Sequence, residues 1–139
     1  MTAVPLAERL QSLAGLELSA VSFEWDTVQL RFVGEHNLSI RIAKSFELQL
    51  ASGQSGREIV PGGGGDPQVT GELASLVKAR LQAITHESNE LSLRFASGQY
   101  LHVPLTTEDS DPVEISCSYH LRPNEVEWYA VVNAGMVAE

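Results

Sequence analysis

The amino-acid sequence predicts an α+β fold that is mostly β: two pseudo-symmetric helix-plus-β-meander repeats forming one antiparallel sheet or a half-open barrel. Three observations predict it. First, residues 10–42 align with residues 73–105 without a gap, at a constant offset of 63. The pairs Leu10/Leu73, Ser12/Ser75, Leu13/Leu76, Leu18/Leu81, Ala20/Ala83, Glu24/Glu87, Leu30/Leu93, Arg31/Arg94, Phe32/Phe95 and Leu38/Leu101 are identical, and most of them are apolar. Second, the apolar period within each copy changes from that of a helix to that of a strand. Third, a Gly- and Ser-rich stretch separates the copies.

Each copy opens with a short helix. Leu6, Leu10 and Leu13 share one helical face, with Pro5 suited to the first turn and Gly15 to the stop. Leu73, Leu76 and Val77 repeat the face after Thr70-Gly71. Neither helix has the length to be stable alone, so docking on a sheet must hold both.

The period then becomes two. Leu16, Leu18 and Ala20 alternate with Glu17, Ser19 and Val21, and the second copy repeats this as Ala79, Leu81 and Ala83. Val28, Leu30 and Phe32 form the next strand, matched by Leu91, Leu93 and Phe95. Leu38, Ile40 and Ile42 form the third, matched by Leu101, Val103 and Leu105. Alternation of this kind marks strands with one buried face. A fourth strand follows in each copy: Phe46 and Leu48 correspond to Val113 and Ile115 once a polar, acidic insertion is allowed in the second. Residues 125–132 have no counterpart and read as an extra C-terminal strand.

The boundaries that follow are repeat 1 over 5–50, a Gly-rich linker over 51–69 and repeat 2 over 70–117. One domain spanning 1–139 is preferred to two, because a lone meander buries too little apolar surface.

Composition narrows the function classes. Eighteen acids against nine Lys and Arg give a formal charge of −9. Residues 66–139 carry most of that excess, so an acidic face is expected in the second half. Such a surface repels phosphate backbones, which argues against nucleic acid and anionic membranes and favours a basic partner. No apolar run is long enough to span a bilayer, and the opening residues show no basic stretch followed by an apolar one. Cys117 is the single cysteine, so neither an internal disulfide nor a thiolate cluster is expected. A cytoplasmic location follows as the expectation.

No motif identifies a reaction. The run of four glycines at 62–65 lacks the Gly-Lys-Ser/Thr of a phosphate loop, and Asp66 would repel an anion there. His36, His86, His102 and His120 are irregularly spaced, so no metal site, cofactor or catalytic set is expected from them. Cys117 reads as a small buried hydrophobe. Trp25 falls at a hairpin tip, where packing does not demand it. Trp128 and Tyr129 are adjacent in a strand, so one of them should be exposed. Exposed aromatics beside acids suit a protein-binding surface, for which the candidates are Trp25, Glu108, Asp109, Asp111, Glu125 and Trp128. The competing site is a small-ligand or catalytic pocket between the repeats, lined by the equivalent pairs Glu24/Glu87 and Arg31/Arg94. A third possibility is a structural domain that forms homodimers through open strand edges.

The segment Leu91-Ser92-Leu93-Arg94-Phe95, with Gly98, Leu101 and Val103 and then an acid-bearing strand containing Glu114, resembles a group of small duplicated bacterial β-meander proteins. Some of that group look like immunity proteins encoded beside toxins. The likeness covers roughly residues 10–117, and Ile115 stands where the group often has an aromatic. The resemblance implies a non-enzymatic binding protein, an immunity-type inhibitor of a basic toxin, and carries over no catalytic residue.

Overall fold

The computed structural model describes residues 5–24, 26–49, 57–61, 67–87, 89–105, 113–133 and 136–138. Helix α1 (Leu6–Gln11) is followed by β1 (Glu17–Phe23), β2 (Val28–Val33), β3 (His36–Ile42), β4 (Phe46–Gln49) and β5 (Arg57–Ile59). Helix α2 (Pro67–Ala74) then leads to β6 (Leu81–Glu87), β7 (Glu90–Phe95), β8 (Tyr100–Pro104), β9 (Val113–Tyr119), β10 (Arg122–Asn133) and β11 (Met136–Ala138). The fold is mostly β. Among the described residues, no helix is long and apolar enough to cross a membrane.

The strands form two antiparallel sheets rather than one. The six-stranded sheet has the order β1-β2-β3-β9-β10-β11 and the five-stranded sheet the order β5-β4-β8-β7-β6. Each sheet takes strands from both halves of the sequence: β9 pairs with β3, and β4 pairs with β8. The helices cross over too, α1 packing against β6 and α2 against β1 and β5.

The inward faces are those that alternation predicts for β2, β3, β7 and β8. Val28, Leu30, Phe32, Leu38, Ile40 and Ile42 from one sheet are buried, as are Leu91, Leu93, Phe95, Leu101 and Val103 from the other. These side chains belong to one continuous core cluster, and the Phe32 and Phe95 rings stack at 6.3 Å between centroids. At one corner the sheets are tied by reciprocal backbone bonds. Gly15 N–H donates to Leu81 O and Lys78 N–H to Leu18 O, each at 2.7 Å. Leu81 N–H donates to Leu16 O and Leu18 N–H to Ala79 O. Gly15 and Lys78 both have left-handed backbone, with φ of 94° and 82°.

Several expectations need correction. In β1 the phase reverses at a register shift between Leu18 and Ala20, so Val21 rather than Ala20 stands opposite the buried Leu30. The same shift occurs in β6 between Leu81 and Ala83, and Ile84 becomes buried opposite Leu93. An extra residue in one strand does this, because side chains alternate with a period of two. The third strands correspond two residues away from the gap-free alignment: Ile40 pairs with Leu30, whereas Leu101 pairs with Leu93. Two residues is one strand period, so the buried face is preserved.

Part of the stretch read as linker is ordered as strand and helix. β5 adds to the edge beside β4 with Ile59 buried, and α2 begins at Pro67, so Thr70-Gly71 lies inside the helix. The extra C-terminal strand starts at Arg122 and is joined by β11.

Candidate functional site

The site is built on the β9–β10 hairpin. Arg122 pairs with Tyr119, but the next partner of β9 is Val126, opposite Ser118, so residues 123–125 form an outward bulge. The hairpin projects past the neighbouring strands, which leaves its apolar side chains without cover. Leu121 is 86% exposed and Val126 57%. An exposed leucine is ordinary; an exposed leucine, valine and tyrosine on one hairpin are not.

The patch is pre-organised. Asn37 Nδ2 on β3 donates to the carbonyls of Tyr119 (3.0 Å) and His120 (3.3 Å), anchoring the hairpin base. The Arg122 guanidinium lies over the Tyr119 ring, 4.5 Å from its centroid, and its Nη1 is 2.8 Å from Glu125 Oε2. Tyr119, Arg122 and Glu125 therefore hold one another at the tip. Below them Trp128 is buried at 8%, with Arg9 over its ring at 5.5 Å. Tyr129 points the other way and is exposed, as strand geometry requires. Its hydroxyl donates to Glu114 Oε1 at 2.7 Å, and that bond, followed by partial burial and the carboxylate charge, raises the phenol above its ordinary value. Arg41 meets the other Glu114 oxygen at 3.3 Å.

The outer face of the six-stranded sheet continues from the hairpin into an open groove of about 410 Å³, lined by Arg31, Gln29, Ser39, Asn37, Ser116 and Ser118 among others. On the outer face of the other sheet, Glu90 binds both Ser92 Oγ (2.8 Å) and His102 Nδ1. His102 Nε2 lies 3.2 Å from Gln49 Oε1, and Tyr100 stacks on the imidazole at 5.7 Å. The Ser92 bond, with lesser help from His102, holds the Glu90 carboxyl below its ordinary range against the opposing effect of burial. This is not a nucleophile–base arrangement. Ser92 gives its hydrogen to the Glu90 carboxylate; its Oγ also lies 3.5 Å from His102 Nδ1, which faces the same carboxylate oxygen.

A third cluster lies at the hairpin base. His36 Nδ1 is 3.0 Å from Glu127 Oε2, and the buried Cys117 thiol lies beside them. Burial, then the Glu127 charge, pushes that thiol up to about 12, with Arg9 acting in the opposite sense.

Of the candidates for partner binding, Trp25, Glu108, Asp109 and Asp111 lie outside the described residues. Glu125 belongs to the hairpin patch, whereas Trp128 is part of the core and not of the surface. The four residues assigned to an inter-repeat pocket are not brought together. Arg31 and Arg94 are exposed on different sheets and line different depressions. Glu24 sits at the β1–β2 turn, where its N–H donates to Thr27 O, and Glu87 pairs with Glu90 at the β6–β7 turn. The physical reason is that the two sheets pack through their apolar faces, which leaves the polar faces of β2 and β7 on opposite outsides.

Sequence reasoning missed Tyr119, Leu121 and Val126. Their signal was an apolar residue, Leu121, in an otherwise polar turn between two strands. The chain matches no protein-family model, no curated protein sequence and no solved structure.

Proposed function

We propose that the chain is a non-enzymatic protein-binding domain that presents the β9–β10 hairpin to a basic protein, in the manner of an immunity-type inhibitor of a basic toxin. The observation that carries this reading is the exposure of Tyr119, Leu121 and Val126 on one hairpin, whose tip carries the Arg122–Glu125 pair. Tyrosine and arginine dominate binding energy at interfaces when they are held in place and can be desolvated together. A formal charge of −9 adds long-range attraction for a cationic surface and speeds encounter.

The reading includes the architecture: two repeats related by a pseudo-twofold axis within one domain. The reciprocal backbone bonds at Gly15 and Lys78, the matching register shifts in β1 and β6 and the exchanged fourth strands all support it. Exchange ties the halves together and makes the sheets a stiff platform for the hairpin.

The test is capture from the source cell's lysate with the full chain at low and at high salt, run beside a Leu121→Asp/Val126→Asp variant. A stoichiometric basic protein should be retained at low salt, released at high salt and lost with the variant. Loss of a hot-spot pair costs about 2 kcal/mol or more, roughly 30-fold in affinity. Retention of nothing, or equal retention by the variant, removes the proposal.

A further inference from the structure

The geometry points to a binding site for one divalent cation of the zinc class, formed by His36, Cys117 and Glu127. Each residue offers one donor atom, and the three atoms lie within 4.8 Å of one another. A tetrahedral zinc with bonds of about 2.0–2.3 Å separates its donors by roughly 3.3–3.6 Å. The His36–Glu127 separation of 3.0 Å is already close to that spacing, and a modest rotation of side chains brings in the thiol.

Three neighbouring strands make the cluster. Leu38 pairs with Cys117 across β3 and β9, so His36, two residues back on β3, shares the face of the thiol. On the other side, Val126 pairs with Ser118 and Trp128 with Cys117, which leaves Glu127 as an extra residue. Glu127 and Trp128 therefore both oppose Cys117. Bulges are a recognised means of re-aiming a side chain beside a functional site. In a regular strand adjacent side chains turn to opposite faces; the extra residue lets Glu127 and Trp128 both stand across from the thiol.

Charge and chemistry favour the same occupant. Cys117 is fully buried, whereas the side chains of His36 and Glu127 are 23% and 31% exposed, so the fourth position opens to water. A carboxylate beside a buried thiol is a poor arrangement for either alone, and Arg9 is the cation that now acts on the thiol. A divalent ion is attracted to both groups. It displaces the thiol proton to solvent, and the thiolate and carboxylate together neutralise it. Soft thiolate and borderline imidazole select zinc or cobalt over magnesium or calcium. This inference stands apart from the binding role of the hairpin tip.

The experiment is titration of the metal-free full chain with Co²⁺, followed by absorbance. Cys117 is the chain's only cysteine, so a thiolate-to-cobalt charge-transfer band can come from no other residue. One cobalt per monomeric chain is expected, with that band and with intense ligand-field bands, both lost on adding Zn²⁺. Cys117→Ser should abolish the charge-transfer band. His36→Ala and Glu127→Gln, at half-exposed or exposed positions that leave the core intact, should weaken binding about tenfold or more. Absence of cobalt uptake overturns the site. So does uptake without a charge-transfer band, a metal shared between two chains, or unchanged affinity in His36→Ala and Glu127→Gln.

Discussion

Replacing Lys78 by glycine should stabilise the protein, while replacing Gly15 by alanine should destabilise it. Both residues close a helical turn with left-handed backbone and donate their N–H to the opposite half at 2.7 Å. Holding an L-residue there costs about 1–2 kcal/mol. Glycine removes that strain but gives the unfolded chain more freedom, a loss of about 0.5–1 kcal/mol. The Lys78 side chain is exposed, so Lys78→Gly gives up no packing. The net gain is about 0.5–1 kcal/mol. At Gly15 a Cβ would meet nothing within 4 Å, so Gly15→Ala carries backbone strain alone and a net loss of about 1 kcal/mol. For a chain of 139 residues each change moves the midpoint by about 2–4 °C. Urea and thermal unfolding followed by circular dichroism, with unchanged m-values, give both signs. Destabilisation by Lys78→Gly, or a neutral Gly15→Ala, would refute the paired left-handed turns and the corner built on them.

Three further outcomes follow from the same structure. Phe32 and Phe95 stack between the two sheets, so Phe32→Leu and Phe95→Leu should be non-additive, with a coupling of about 0.5–1.5 kcal/mol in a double-mutant cycle; additive losses would separate the rings. Because the folded-state Glu90 carboxyl lies below its ordinary 4.5, it stabilises the protein above that pH, and the contribution is lost as pH falls through the lowered value. Glu90→Gln should therefore flatten the acid limb of the stability curve, and an unchanged limb would contradict the Ser92–Glu90–His102 network. Glu114→Gln should lower the Tyr129 phenol midpoint toward its ordinary 10, read by phenolate absorbance, since the Glu114 hydrogen bond is the largest cause of its elevation.

Local pattern was legible in the sequence, and long-range pairing was not. Val28, Leu30 and Phe32 and their counterparts announced buried strand faces because alternation is a property of each strand alone. The phase reversals in β1 and β6 were recoverable: Val21 and Ile84 are apolar at positions that simple alternation turned outward. The pairing of β4 with β8 and of β9 with β3 had no local signature, since the same hydrophobic strand satisfies either edge. The division into two sheets had no local signature either, and with it came the failure of Glu24, Arg31, Glu87 and Arg94 to converge. Trp128 and Tyr129 were known to face opposite ways, but which one faced water depended on the bulge at Glu127. His36, Cys117 and Glu127 were invisible as a group because register brings them together and sequence spacing does not.

Chemical-shift mapping of the isotopically labelled chain against the captured basic protein tests the binding account most directly. The account predicts perturbations concentrated on residues 119–127, weakened by added salt and absent in Leu121→Asp/Val126→Asp. Perturbations centred instead on the groove of Arg31, Ser39 and Ser116, or a complex indifferent to the hairpin variant, would contradict it.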